Sequence, residues 1–456
     1  MTTIEAAEVD WNALTAEAVK HLQALIQCNT ANPPGNEGPA ITYIHKQLIA
    51  EGIDARIIEP TPGRPSLWAK LPGNGSKRPL LLLSHVDVVP VEAEHWTVDP
   101  FGGEIRNSYI YGRGAVDMKG MTAKQLTLLL HLARMTKETG HTLNRDLVLL
   151  AVADEEREGT HGMAWIAEHE PALLDTEYAL NEGGGFAIDL RGKRIYVCET
   201  AQKGRALVTM RAEGSPGHAA VPHSQNAIIR LARAITRIGT SSLPLHVTPT
   251  MRQFVMTLAT TQPQPQRALL PQMLNPLLSD SILRAFPDKQ VANALGAMLH
   301  NTATPTVVQG GTVINVIPSE AIARLDGRII PGQTAEVLKV ELRKRIRDPH
   351  VTVSVELLSL GHESRADTAL FAAITTAITR SDPGALVAPY LLPTSTDSRF
   401  LVPKGVIAYG FDPMQPEPGW PSPQHMAHGH DERISIANIG FGLRVLYDTI
   451  VQVASS

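Results

Sequence analysis

At 456 residues the chain is too long for one ordinary hydrophobic core, so two domains are expected. A hydrophobic fraction of 43% against 19% charged describes a globular polypeptide. A net charge of -4 with no Lys/Arg-rich run excludes nucleic acid or an anionic membrane surface as the main partner and leaves small molecules open.

Met1 to Glu17 is acidic and lacks a basic region followed by an apolar core, so no signal peptide is expected. No apolar run reaches membrane-spanning length. Asp10 caps an amphipathic helix marked by Trp11, Leu14, Ala18, Leu22 and Leu25, and Asn32-Pro-Pro-Gly35 stops it. The two cysteines, Cys28 and Cys198, make no CxxC pair, which suits a reducing, cytoplasmic compartment and leaves His and carboxylate as metal ligands. A second helix over Pro39 to Glu51 leads to extended segments at Ala55 to Ile58 and Leu67 to Leu71. The run Pro79 to Pro90 follows, apolar on both faces like a buried central strand and ending in His85 and Asp87. Gly102 to Tyr111 reads as a loop or hairpin. Gly112 to Gly120 opens a helix that reaches about Met135. Leu147 to Ala153 is another buried strand and runs into Asp154, Glu155, Glu156 and Glu158. A helix over His161 to Leu174 and a strand over Glu177 to Leu180, running into Asn181-Glu182, complete an alternation that specifies a mostly parallel sheet covered by helices.

After Gly204 the texture changes to strand 206–212, helix 226–238, strands 306–309 and 321–330, helix 335–347 and strand 351–357. This βαββαβ order predicts a small ferredoxin-like domain. Residues 241–304 form an excess inside it, with helical pieces at Met273 to Leu278, Ile282 to Phe286 and Val291 to Leu299. Its Leu269, Leu270, Met273, Leu274, Leu277 and Leu278 suit either an apolar substrate pocket or the insertion's own core. From Gly361 the first texture resumes, with a helix over Thr368 to Arg380, a strand over Gly405 to Tyr409 and a closing helix from Ser435. The expected division is therefore 1–203 and 360–456 for one domain and 204–359 for the other.

Five segments end in metal-type ligands at strand ends or loops: His85 with Asp87, Asp117, Glu155 with Glu156, Glu182, and the cluster His425, His428, His430. Singly each is weak, since an acid before a helix is more often a cap and an acidic turn is commonly just solvated. Together they fall on one sheet edge, where open α/β proteins bind ligands. On an extended segment Glu155 and Glu156 point to opposite sides, so one would hold metal and the other move a proton.

The motifs Ser84-His-Val-Asp87, Gly112 to Gly120, Asp154-Glu-Glu156, Asn181-Glu182, Gly217-His218, Asn315-Val-Ile-Pro318, Asp326-Gly-Arg328 and His428-Gly-His-Asp-Glu432 resemble, in order and over essentially the whole chain, the dizinc aminoacylase superfamily. That superfamily includes glutamate carboxypeptidase, acetylornithine deacetylase, succinyl-diaminopimelate desuccinylase and carboxypeptidase S. The resemblance implies a zinc-peptidase catalytic domain with an inserted lid. It makes Asp117 the bridge between two Zn2+ ions, for which Co2+ or Mn2+ would substitute. His85 and Glu182 would complete one site, Glu156 and His428 the other, with His430 a rival to His428. Asp87 would accept the second imidazole N–H of His85, and Glu155 would be the general base and acid. In the lid, Arg328 would pair with a substrate carboxylate, and Asn315 and His218 would hydrogen-bond the substrate, His218 at the developing oxyanion. Thr396-Asp397-Ser-Arg399 resembles a family motif near the substrate and carries no assigned role.

The implied activity is hydrolysis of an amide or peptide bond next to a free carboxylate, on N-acyl amino acids or short peptides. A non-catalytic relative that keeps the metal site and captures a ligand is the alternative, and a dimetal phosphoesterase would need more cations than Arg328. The long insertion resembles carboxypeptidase S and the N-fatty-acyl-amino-acid hydrolases. It departs from short-lidded relatives that pair through their lids, so a homodimer is left open.

Overall fold

The computed structural model describes residues 9–455; the first eight residues, part of the stretch expected to lack a leader, lie outside them. The chain divides into two compact units. One comprises the chain through Glu199 with Ser364–Ala388 and Thr396 onward; the other comprises Thr200–Glu363 with Pro389–Ser395.

In the first unit the strands Leu80–His85 and Leu147–Val152 are buried at every position, as the apolar runs require. Side-chain alternation sorts them between two cores. Leu80, Leu82, Leu147, Leu149 and Ala151 enter one, Leu81, Leu83, Val148, Leu150 and Val152 the other. Each fully buried leucine contributes roughly 1.5–3 kcal/mol. The first core is closed by the helices Trp11–Gln27, Gly38–Ala50, Lys119–Thr139, Ala369–Ser381 and Ile436–Ser455, the second by Met163–His169 and the turn at Leu401. Four strands run parallel in the order Leu147–Val152, Leu80–His85, Tyr178–Asn181 and Ile407–Gly410. On one side Ser66–Leu71 runs antiparallel to them and pairs antiparallel in turn with the edge strand Asp54–Ile58; on the other side Lys193–Gln202 is antiparallel. Because His85 is in register with Val152, and Leu82 with both Leu149 and Leu180, the carboxyl ends of three strands deliver His85, Asp154 to Glu156, and Glu182 to one edge.

Asp10 caps the first helix as its sequence predicts, accepting the N–H groups of Asn12 and Ala13 at 3.0 Å each. The single helix expected over His161 to Leu174 is instead a helix, Met163–His169, followed by a tight turn over Pro171–Leu174. Pro171 lacks the N–H that continuation needs. The segment before Tyr111 is a hairpin of Ile105–Arg106 and Tyr109–Tyr111, turned by Asn107 and Ser108 at φ 51° and 64°. Tyr109–Tyr111 also pairs with Arg433–Ser435, a strand too short to leave a periodicity.

The second unit carries a four-stranded antiparallel sheet in the order Thr302–Gly310, Glu320–Ile329, Gly204–Glu213 and Val351–Ser359. Ala206, Val208, Met210 and Ala212 alternate into a core shared with the helices Ala227–Gly239 and Ala335–Ile346. This is the ferredoxin-like arrangement. The insertion differs in detail from its expectation. Pro249–Thr260 is a helix that its Pro start and β-branched residues obscure, and of the helix expected over Met273 to Leu278 only Met273 and Leu274 are helical, at the end of a tight helical turn over Leu270–Leu274. There the Asn275 side chain accepts the Leu277 N–H at 3.0 Å, offering the backbone a turn in place of the next helical bond. Of the insertion's six apolar residues Met273 is buried, whereas Leu269, Leu277 and Leu278 are exposed.

Lys203, fully buried, donates to the carbonyls of Ala297 and His300 at 2.9 and 2.8 Å and to Thr302 Oγ1 at 3.2 Å, with no carboxylate among these acceptors. Burial pulls its pKa down to about 7, with Arg328 acting in the same direction and Asp326 opposing. An unfolded lysine titrates at about 10.4, so between these values the unfolded chain binds more protons and stability rises with pH. The penalty for a charged Lys203 is full below pH 7 and fades above it. Lys203→Met should therefore flatten the rise in stability between pH 7 and pH 10. Denaturant midpoints measured across that range test this, and equal slopes in both proteins would refute it.

Candidate metal centre

Among the described residues, two groups of donors lie close enough to hold a metal ion: His85, Asp117 and Glu182, and Asp117, Glu156 and His428. Asp117 belongs to both and divides its oxygens between them. His85 Nε2 is 3.3 Å from Asp117 Oδ1 and 3.7 Å from Glu182 Oε1. His428 Nε2 is 3.2 Å from Asp117 Oδ2 and 3.3 Å from Glu156 Oε1. The His85 side chain is 2% exposed and that of His428 55%, so one end of the centre is sealed and the other open. Of the two histidines weighed in the late cluster, His428 joins the group. His430 turns to Glu92 Oε2 at 3.1 Å and packs against the His95 ring.

The donor set fits divalent cations on its own chemistry. His85 Nδ1 bonds the backbone carbonyl of Asp87 at 2.9 Å, which fixes the proton there and leaves a lone pair on Nε2. That buried Nε2 has no hydrogen-bond partner and faces carboxylate oxygens. Such a nitrogen among carboxylate oxygens calls for a positive charge, which either a proton, toward which, against burial, Asp117, Asp87 and Glu182 push the ring, or a metal ion supplies. The same crowding shifts the proton affinities of the groups around it. Burial, with the charge of Asp117, pushes Glu182 up to about 7. Burial also raises Glu156, against the pull of His428. The carboxylates of Asp117 and Glu156 push His428 up to about 10.

Glu155 is in neither group. Burial and the neighbouring Glu182 and Asp397 hold its carboxyl well above the usual range, so it favours the proton-carrying form. The extended geometry expected for Glu155 and Glu156 is replaced by a tight helical turn over Glu155–Arg157, entered through Asp154 at φ 69°. Successive side chains there diverge by about 120° rather than 180°, which still separates the two carboxylates. Asp87 explains the turn: its Oδ1 and Oδ2 accept the N–H groups of Glu155 and Glu156 at 3.1 and 3.2 Å, and Oδ2 also accepts Asn32 Nδ2 at 2.9 Å. The expected contact from the Asp87 carboxylate to His85 Nδ1 is 3.5 Å, longer than that from its carbonyl. Asp154 faces away from the donors and accepts Asn32, Arg64, Thr160 and the His161 N–H.

Arg399, which the sequence motif Thr396–Arg399 leaves without a role, stands beside Glu155. Its Nη1 lies 3.7 Å from Glu155 Oε1, its Nη2 3.7 Å from Asp397 Oδ1, and the guanidinium stacks over Phe400 at 4.7 Å. Such a residue in a short turn leaves no periodicity to read.

The three lid residues lie in the second unit. Gly217–His218 pairs with Val316–Ile317, and the Ala219 N–H donates to Asn315 O at 3.0 Å, which places exposed His218 and Asn315 on neighbouring segments. Arg328 lies elsewhere, on Glu320–Ile329, and its Nε and Nη2 donate to Asp326 at 2.6 and 3.1 Å. Its fork is therefore already engaged by a carboxylate from its own strand.

Residues 81–452 match the profile of Peptidase family M20/M25/M40. The chain belongs to this family. It is 27% identical to aminoacylase-1 of Mus musculus over 420 residues, 89% of this chain and 87% of that protein. It is also 29% identical to the N-fatty-acyl-amino acid synthase/hydrolase PM20D1 of Xenopus tropicalis over 287 residues, 61% of this chain and 53% of that protein. Among solved structures it is similar to the M20 family metallo-carboxypeptidase Sso-CP2 of Sulfolobus solfataricus, with a TM-score of 0.68 at 19% identity, covering 96% of this chain and 99% of the other. As a member of this peptidase family the protein is a hydrolytic enzyme with the two-part α/β fold its motifs imply. No helix among the described residues is long and apolar enough to cross a membrane.

Proposed function

We propose that the protein cleaves an amide or peptide bond adjacent to a free carboxylate, on N-acyl amino acids or short peptides, with two zinc ions. The observation that carries this reading is the pair of donor groups sharing Asp117, with a protonatable Glu155 beside them and in neither. The relatives named aminoacylase-1 and N-fatty-acyl-amino acid synthase/hydrolase agree with it. In this reading the first unit is the catalytic domain and the second the lid, in a cytoplasmic protein.

His85, Asp117 and Glu182 would hold one ion, and Asp117, Glu156 and His428 the other. When bound, the ions supply Lewis-acid polarisation of the scissile carbonyl and make water nucleophilic at neutral pH. Glu155 removes a proton from the attacking water and returns it to the leaving nitrogen. Its burial suits both tasks, since it strengthens the carboxyl's hold on the proton that it takes from water and later passes on. Asp87 holds Glu155 and Glu156 in their separate directions through the two backbone N–H groups it accepts. In the lid, Arg328 receives the substrate carboxylate by exchanging Asp326 for it, and Asn315 and His218 hydrogen-bond the substrate, His218 at the developing oxyanion.

A panel of N-acyl amino acids and dipeptides tests this reading. Turnover should require the free carboxylate, so the same compounds with that group amidated should react at least about 100-fold more slowly, the scale on which losing a charged bidentate contact acts. Equal turnover of free and amidated compounds would overturn it.

A further inference from the structure

The structure assigns Glu432 a positioning role that its place in the sequence did not reveal: one buried carboxylate sets both the Asp117 loop and the His428 turn. This rests on the reading of His85, Asp117, Glu156, Glu182 and His428 as a metal centre.

Glu432 is wholly buried. Its Oε1 accepts the N–H groups of Val116 and Asp117 at 2.8 and 3.0 Å. Its Oε2 accepts the Gly114 N–H at 3.0 Å and Arg113 Nη1 at 2.7 Å. All four bonds end on the five residues that finish at Asp117, the donor common to both groups. The loop closes around the carboxylate because Gly114 stands at φ +87°, where a side chain would be strained and a Cβ would come within 2.8 Å of Val88 Cγ1. Pairing of Arg433 with Tyr111 and the bond from the Gly112 N–H to Glu432 O, 2.9 Å, bring the carboxylate to the loop's mouth.

The same ion pair reaches the second ligand segment. Arg113 Nη2 donates to the backbone carbonyl of His428 at 3.3 Å, while its guanidinium stacks over Trp96 at 5.3 Å. His428 itself stands at φ 61°, a conformation that its side chain does not favour and that its surroundings must hold. Glu432 thus links the position of Asp117 to that of His428 without touching a metal.

A carboxylate offers acceptors on both oxygens, and all four partners here are donors. Glu432→Gln keeps the shape but turns an NH2 group toward two of them. Outer groups that orient ligands typically change metal affinity by about 10- to 100-fold.

The experiment is a chelator competition that measures the zinc affinity of the full-length protein. Asp382→Asn serves as control: Asp382 is equally buried and bonds Tyr196 at 2.8 Å and Arg194, and no bond of its side chain reaches a ligand segment. Glu432→Gln should bind zinc about 10- to 100-fold more weakly, and Asp382→Asn should match the unaltered protein. If Glu432→Gln does not accumulate folded, Glu432→Asp carries the same expectation, since it keeps the charge but cannot span all four donors. Unchanged affinity in the Glu432 variant, or equal weakening in Asp382→Asn, would overturn the assignment. Failure of the unaltered protein to bind zinc would instead remove the metal-centre reading beneath it.

Discussion

Glu155→Gln should bind metal like the unaltered protein and lose about 10²- to 10⁴-fold in kcat, the usual contribution of a positioned general acid–base group. The substitution is isosteric, leaves the backbone N–H that Asp87 accepts, and lies outside both donor groups. What it removes is the capacity to take and return a proton. Metal content per chain, KM and kcat measured together separate this from a binding defect. A variant within tenfold of full kcat would mean that the proton moves elsewhere, and the assignment would fail.

Asp117→Asn should have the larger effect. Asp117 is the only residue in both donor groups, and its two oxygens face different histidines. An amide presents one acceptor oxygen, so one histidine would face an NH2 group in its place. Both sites should weaken together, and hydrolysis should fall on the order of 10⁴-fold or more, the scale of removing a member of an interdependent catalytic set. Replacing a ligand that served one site alone would spare the other. Metal analysis of the purified variant should therefore show loss of both equivalents, and retention of one at full affinity would contradict the shared role.

Much of the first unit was legible because its strands are simple. Leu80 to Leu83 and Leu147 to Val152 are apolar throughout, and such runs between helical segments specify parallel strands whose ends meet at one edge. That edge also brought His85, Glu156 and Glu182 within view. Other parts depended on interactions that distant segments supply. The conformation at Glu155 and Glu156 follows from the Asp87 carboxylate, some seventy residues earlier, and no local pattern announces it. Arg399 and Glu432 each sit in irregular segments, where position is set by partners such as Glu155 and Arg113 rather than by a period. Arg328 shows the opposite difficulty. Its residue type suits a carboxylate, and the structure fills that fork with Asp326, two residues away on the same face of the strand. In the insertion, the Asn275 turn diverted an apolar run from the helix its spacing suggested.

A metal titration of the stripped protein, with hydrolysis of an N-acyl amino acid followed in parallel, asks whether the centre around Asp117 drives the reaction. Two equivalents should bind per chain, the stripped protein should show no turnover, and activity should return as the donor groups around Asp117 fill. Full hydrolysis by protein shown to be free of metal would contradict the metal-centre reading.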